Sequence, residues 1–326
     1  MTSSKVGITD YITDPRIESD LLGDAFSPDA GPDTEVLLVW HQRIDAPFLD
    51  RFPKLKAVIR YGVGYDNLDL DELSRRGIYA CNTPDYGVDE VADTAIAMIM
   101  NMTRGVSRYD YLCRTYTRGW QEHVLRPLRR TSTMMLGVVG AGRIGGSVLL
   151  KASALGFRTV LYDPYRPPGH EKTLRAARTE SLAGLLGQAD IVSLNLNMTA
   201  ESRGMVNAAF LAAMKPGSSL VNTARGALLD DLDTLYEPLR SGRLHSVALD
   251  VLPEEPPVHG GKLLDAWRRR EEWLDGRLTI NPHGAYYSQE AYEEMRRKTA
   301  ANALRVLQGH EPLNILNGLG KGAVAS

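Results

Sequence analysis

The residues Gly137 to Gly146 read Gly-Val-Val-Gly-Ala-Gly-Arg-Ile-Gly-Gly and constrain this chain more than any other stretch. An apolar run, Met134-Met135-Leu136, precedes them. Ser147 to Leu155, rich in Leu, Ala, Val and Lys, has a helix-forming composition and follows them. Gly140, Gly142 and Gly145 therefore stand where a strand turns into a helix, the context that separates a phosphate-binding turn from a plain glycine turn. In such a turn Gly140 permits the bend, Gly142 lets the backbone approach a pyrophosphate, and Gly145 lets helix pack on strand. The helix start, with Val139, Arg143 and Ile144 beside the glycines, offers unpaired N–H groups and a positive dipole end.

The following strand narrows the ligand. Arg158 to Tyr162 is a short β-prone run ending at Asp163, 23 positions after Gly140. A carboxylate about 20 residues beyond the glycines accepts the hydroxyls of an adenosine ribose and repels a 2′-phosphate, which points to NAD rather than NADP. Arg166, three residues on, is the one nearby group that could accommodate that phosphate.

Composition bounds the rest. With 326 residues the chain has room for roughly two domains. Its apolar content of 43% and charged content of 24% support a packed core, and a net charge of −2 offers no basic field for nucleic acid. Two cysteines, Cys81 and Cys113, make no disulfide framework. They fit a reducing, cytoplasmic setting, as does an N-terminus in which Asp10 and Asp14 fall where a secretory leader needs an apolar core. No apolar run is long enough for a membrane span.

Taken in order, Lys5 to Thr9, Glu35 to Trp40, Ala57 to Arg60 and Ile78 to Cys81 read as strands, and Asp71 to Arg76 as a helix. Val88, Val91, Ala92, Ala95, Ile96, Ile99 and Met102 share one face of a long helix, and a second helix is expected over 106–120. From Leu136 a new alternation begins, with strands at 136–139, 158–162, 190–194, 218–222, 245–249 and 277–280. Helices are expected at 143–155, 181–187, 207–214 and 231–240. Six strands with right-handed crossovers make a doubly wound sheet. The last helix, 289–307, begins after that sheet is complete, so the chain is expected to return to its N-terminal domain. The expected division is 1–103 with 288–326 as one domain and 104–287 as the nucleotide-binding domain.

Three polar residues follow strands of the second alternation: Arg225, Glu255 and His283. In an open α/β sheet, ligands bind outside the carboxyl ends of the strands. The three types suit one reaction. Hydride delivery to a 2-oxo acid creates an alkoxide, which a histidinium can protonate; a carboxylate stabilises that imidazolium; a guanidinium clamps the substrate carboxylate. No metal-ligand cluster is evident, and none is required.

At these residues the chain resembles the D-isomer-specific 2-hydroxyacid dehydrogenases, and among them the branch of the C-terminal-binding-protein corepressors. The matching pieces are Arg60 to Asn67, Cys81-Asn82-Thr83-Pro84, Val91-Ala92-Asp93, the glycine turn, Tyr162 to Tyr165, Asn222 to Gly226, Asp250 with Glu255-Pro256, and Pro282 to Ser288. The resemblance implies an α/β fold, with a Rossmann-type nucleotide-binding domain and a smaller flavodoxin-like α/β substrate domain built from both chain ends. It implies His283 as acid/base, Glu255 as its partner and Arg225 as substrate clamp. Gly62, Val63 and Gly64 would offer backbone N–H groups to a carboxylate, with Arg60, His41 and Tyr286 on the substrate side. Leu196, Asn197, Thr223, Ala224, Arg225, Asp250, His283 and Gly284 would line the NAD, and a homodimer would form through the nucleotide-binding domain. Departures from the branch are Val63, where many relatives have Ser, Tyr286 in place of Trp, and a longer stretch between Glu255 and His283. The partner implied is a small 2-oxo or 2-hydroxy acid. The alternative carried by the same branch is an NAD-sensing, peptide-binding corepressor.

Overall fold

The computed structural model describes residues 5–114, 119–121 and 128–320. The chain forms two compact units, Met1–Gly87 with Tyr287–Ser326, and Val88–Tyr286.

In the first unit the chain runs β1 (Val6–Ile8), α1 (Arg16–Leu22), β2 (Phe26–Asp29), β3 (Val36–Val39), α2 (Ala46–Leu49), β4 (Ala57–Arg60), α3 (Leu70–Arg75) and β5 (Tyr79–Cys81). The strands form a five-stranded sheet in the order β2-β1-β3-β4-β5, every neighbour parallel. That is the flavodoxin-like order, with the chain reversing direction between β1 and β3. β3 is buried at all four positions, as a strand covered on both faces must be. The sequence gives no clear signal for β2. Its Ser27-Pro28-Asp29 is half-exposed or exposed, a composition that only an edge strand tolerates.

The second unit opens with α4 (Val88–Arg104) and α5 (Val106–Cys113), and then runs β6 (Met135–Val139), α6 (Arg143–Ala154), β7 (Arg158–Tyr162), α7 (His170–Thr173), β8 (Ala177–Arg178) and α8 (Leu182–Gln188). It continues through β9 (Ile191–Leu194), α9 (Ala208–Ala213), β10 (Ser218–Asn222), α10 (Tyr236–Arg240), β11 (Leu244–Leu249), α11 (Lys262–Arg268) and β12 (Leu278–Ile280). Seven parallel strands lie in the order β12-β11-β10-β9-β6-β7-β8, so the winding reverses between β6 and β9. This is a Rossmann-type sheet with one strand more than expected, the two-residue edge strand β8. Of the helix expected at 231–240, the first part is a 3₁₀ turn at Leu232–Leu235. The helix expected over 106–120 ends at Cys113, and 115–118 fall outside the described residues.

The expected boundary at residue 103 needs correction. α4 belongs to the second unit. Its Ala92, Ala95, Met98, Ile99 and Met102 share one buried cluster with Leu136, Val148, Leu149 and Ala152, and Lys151 on α6 pairs with Asp93 at 2.6 Å. The periodicity shows that α4 buries one face but not against which sheet.

The last helix, α12 (Gln289–Leu307), lies in the first unit and packs on α1. Between them Arg296 Nε donates to Glu18 Oε1 at 2.9 Å and its Nη2 to Oε2 at 2.5 Å; the Tyr61 hydroxyl donates to Oε1 at 2.9 Å. Glu18 is fully buried. Beyond α12 the chain seals the β5 edge: Leu316 N donates to Ala80 O at 2.8 Å, and the Asn317 amide bonds Ile78 O at 2.9 Å. Breaking a buried pair from one side leaves an uncompensated charge, at a cost of about 3–5 kcal/mol. Arg296→Met is therefore expected to lower the free energy of unfolding by that amount, and Glu18→Leu with Arg296→Met to recover most of it, as chemical unfolding curves of the three proteins will report.

Candidate active site

His283 and Glu255 meet at the rim of the second sheet. Glu255 follows β11, His283 follows β12, and the ring Nδ1 lies 2.6 Å from Glu255 Oε2. The other carboxylate oxygen accepts Leu252 N at 2.7 Å, which fixes the group in its own loop. Burial opposes ionisation of Glu255. The hydrogen bond and charge of His283, the Leu252 amide and the charge of Arg225 outweigh it and hold the carboxyl below its usual range. An ionised Glu255 only accepts, so Nδ1 is the donor and Nε2 is the ring atom left to act.

The backbone at His283 is itself constrained. Its φ is +54°, a left-handed conformation that a non-glycine residue holds only when its surroundings impose it. Asp250 imposes it. The Asp250 carbonyl accepts His283 N at 2.8 Å, and its carboxylate accepts Gly284 N and Ala285 N, each at 3.0 Å. Burial raises the Asp250 pKa against these bonds. Arg225 follows β10 in a turn fastened by Asn222, whose side chain accepts Ala224 N at 3.0 Å and donates to Arg225 O at 2.8 Å. That turn sits hard against the Glu255 loop: a Cβ on Gly226 would fall 1.8 Å from Leu252 O.

The glycine turn lies where the winding reverses. A Cβ on Gly145 would fall 1.9 Å from Gly140 O, so α6 packs against the turn as only glycine allows. At Gly142 the nearest atom to such a Cβ is Arg166 Nη2, at 3.6 Å, which leaves the backbone approachable. α6 begins with no side-chain cap at Gly142. Asp163 Oδ2 accepts Ala141 N at 2.8 Å and Oδ1 accepts Tyr165 N at 3.0 Å. A carboxylate has about four acceptor positions, so about two remain for hydroxyls. Arg166 Nε stands 3.8 Å from Asp163 Oδ2. Two buried oxygens nearby, Asn195 Oδ1 after β9 and Thr223 Oγ1 after β10, have no hydrogen-bond partner among the described residues. An uncapped helix start, an open glycine and two orphaned oxygens at strand ends fit a dinucleotide. Leu196 and Asn197 continue the loop from Asn195, and Tyr286 ends the His283 loop.

In the first unit the corresponding loops follow β1, β3 and β4. Val63 O accepts the Asn82 amide at 2.6 Å, and Gly62 O accepts Thr83 N at 3.1 Å, so both carbonyls are tied down toward the β5 loop. Arg60 ends β4 beside Gly62. Asp10 joins the other two loops, accepting Trp40 N at 3.2 Å and His41 N at 2.7 Å, with the His41 ring at 3.5 Å. Burial opposes the Asp10 charge, but bonds from His41, Thr9 and Trp40 hold its pKa far below the usual range.

Comparison with known proteins decides the family. The family model for the D-isomer specific 2-hydroxyacid dehydrogenase NAD binding domain matches residues 96–285. The chain belongs to the D-isomer specific 2-hydroxyacid dehydrogenases. It is 34% identical over 278 residues to a glyoxylate reductase of Korarchaeum cryptofilum, covering 84% of this chain and 80% of that one. It is 32% identical over 279 residues to a glyoxylate reductase of Thermococcus litoralis, covering 84% and 81%. A D-lactate dehydrogenase from Aquifex aeolicus, solved with NAD and lactic acid, superposes with a TM-score of 0.84 at 26% identity, covering 96% of this chain and 99% of that one. This dehydrogenase is thus an oxidoreductase of the 2-hydroxyacid class with an NAD-binding Rossmann-type domain. No helix among its described residues is long and apolar enough to cross a membrane.

Sequence reasoning missed Asn195 and Asp10. Each follows a strand beside its sheet's point of reversal, a position that strand order alone identifies. Gly226 marks the tightest backbone approach near the His283–Glu255 pair. Gly226→Ala must push the Arg225 and Glu255 loops apart, and misplacements of about 1 Å cost roughly 10²-fold in rate. A drop of that order in kcat/KM is expected with the far-ultraviolet circular dichroism unchanged; activity within twofold of the unmutated enzyme would contradict it.

Proposed function

We propose that this dehydrogenase reduces 2-oxo acids to D-2-hydroxy acids with NADH, His283 donating the proton, Glu255 partnering His283 and Arg225 holding the substrate. The observation that carries the reading is the 2.6 Å Glu255–His283 contact at the carboxyl ends of β11 and β12. The reduced nicotinamide, when bound, supplies the hydride. The chain supplies everything else. Arg225 pairs its guanidinium with the substrate carboxylate and draws charge from the keto oxygen. His283 delivers the Nε2 proton to that oxygen as it gains charge. Glu255, kept ionised, stabilises the imidazolium before transfer and orients the ring throughout. The first unit's Gly62–Gly64 amides and Arg60 are assigned to anion binding, a role consistent with the way Asn82 and Thr83 secure the loop's carbonyls. A homodimer through the second unit is part of the same proposal and rests on the family resemblance.

Loss of 340-nm absorbance with NADH and a panel of 2-oxo acids tests the activity. His283→Ala is expected to lose roughly 10²-fold or more in kcat, the usual scale for a general acid. In Glu255→Gln the anion that favours the imidazolium is gone. The alkaline fall in reductive kcat/KM should then begin at lower pH, while NADH still binds. Matching profiles for the variant and the unmutated enzyme would remove Glu255 from its role.

The proposed ribose ligand is Asp163, which makes NADH the preferred cofactor despite Arg166. Asp163→Ala is expected to narrow the NADH-to-NADPH ratio of kcat/KM, chiefly through KM for NADH. Steady-state kinetics with both cofactors decide this, and a preference for NADPH before mutation would show that Arg166 outweighs the carboxylate.

A further inference from the structure

The glycine turn has more conformational freedom than the strand and helix it joins, because its glycines lack the Cβ that would confine them. Gly140 already stands at a φ of +86°. Gly142 stands at −74° and tolerates a positive value as well. The peptide between Ala141 and Gly142 can therefore flip, as the central peptide does between type I and type II turns when glycine follows it. A flip exchanges its N–H for its C=O. That would present an acceptor at the residue where the backbone approaches a pyrophosphate. Among the described residues the Gly142 N–H has no hydrogen-bond acceptor, so no bond of its own sets its direction.

Two side chains from the segment after β7 hold the turn. Ala141 is fully buried, and both of its backbone groups are bonded. Its N–H donates to Asp163 Oδ2 at 2.8 Å, which fixes the peptide before it. Its carbonyl accepts from His170 Nε2 at 2.9 Å, which fixes the peptide after it. A carbonyl oxygen only accepts, so Nε2 carries a proton in this contact. A trans peptide is planar, with its C=O and N–H on opposite sides. Holding the Ala141 oxygen on the ring therefore points the Gly142 N–H away from the ring. Asp163 cannot do this alone, because rotation about Ala141 ψ and Gly142 φ turns the second peptide and leaves the first in place. The ring is itself anchored. His170 N donates to Pro167 O at 3.2 Å, and the Thr173 hydroxyl donates to His170 O at 2.7 Å. Arg178, from β8, secures the start of the same segment, donating to Arg166 O at 2.9 Å and to Asp163 O at 3.3 Å.

We propose that His170 is a positioning residue for the dinucleotide: through the Ala141 carbonyl it keeps the Gly142 N–H turned to the pyrophosphate. The inference rests on NAD binding at the glycine turn and not on the 2-oxo acid reading. A hydrogen bond to an anion is worth about tenfold or more in affinity, and a flipped carbonyl adds repulsion to that loss. NADH and NADPH share the pyrophosphate, so His170 serves both equally. The choice between them stays with the ribose end.

The test titrates NADH and NADPH, followed by nucleotide fluorescence, into the unmutated protein, His170→Gln, His170→Asn and His170→Leu, with circular dichroism confirming the fold of each. Glutamine carries an amide N–H about as far as Nε2, whereas asparagine stops short, near Nδ1. His170→Leu and His170→Asn are expected to weaken NADH binding by about tenfold or more, and His170→Gln to stay within about threefold of the unmutated protein. The ratio of the NADH and NADPH dissociation constants should stay the same throughout. In turnover the loss should fall on KM for NADH rather than on kcat. Equal dissociation constants in all four proteins overturn the proposal, as does a glutamine variant that binds no tighter than the leucine one. A changed NADH-to-NADPH ratio shows that His170 acts through Asp163 and overturns it as well. Binding needs no turnover, so failure of the 2-oxo acid reading leaves this test standing.

Discussion

Parallel pairing is the constraint on which this structure depends. Every strand in both sheets runs the same way as its neighbours. A parallel neighbour cannot be reached by a tight turn, so the chain must cross over each time and re-enter at the same end. All carboxyl ends of a sheet therefore collect at one rim. Residues as distant in sequence as Gly140, Arg225, Glu255 and His283 arrive at that rim without any long-range signal of their own. The helices that make the crossovers bury both sheet faces, which explains why β3, β9 and β10 are apolar or small and wholly buried.

At the rim, precision comes from backbone hydrogen bonds made by acids, of which Asp163 and Asp250 are buried. Asp250 holds the His283 turn, Glu255 holds Leu252 while facing the imidazole, Asp163 holds the glycine turn, and Asp10 joins two loops of the other sheet. Each carboxylate accepts from amides that would otherwise be unsatisfied in a loop. Loops of this kind can set a ring or guanidinium in position before a ligand arrives, which is where electrostatic stabilisation gains its advantage over water.

What was legible in the sequence follows the same division. Gly140, Gly142, Gly145 and Asp163 could be read because a strand–turn–helix has a local pattern, and Arg225, Glu255 and His283 because each trails an apolar run. The buried strands announced themselves for the same reason. β2 and β8 did not, being short edge strands with half their surface in water. α4 revealed an apolar face but not its partner, since Ala and Met pack equally well on either sheet. The aromatic contact between Tyr11 and Trp40 was invisible, because it depends on β1 and β3 being neighbours although β2 and its flanking loops lie between them in the chain. Asn195 was missed for a related reason: its position matters only once β9 is known to lie beside β6.

The buried Glu18–Arg296 pair spans 278 positions of sequence. The second unit is one unbroken stretch and can close as soon as its last strand leaves the ribosome. The first cannot. Its strands β1 to β5 emerge before any of the second unit, yet α12 and the segment that covers the β5 edge follow it. At about 5–20 residues per second, that interval is on the order of ten seconds or more. For all of it Glu18 lacks its guanidinium and β5 has an open edge. The nascent chain thus carries an unfinished sheet until α12 and the segment after it complete it. The steps most exposed to aggregation and to chaperones belong to this unit, though its strands are made before those of the other.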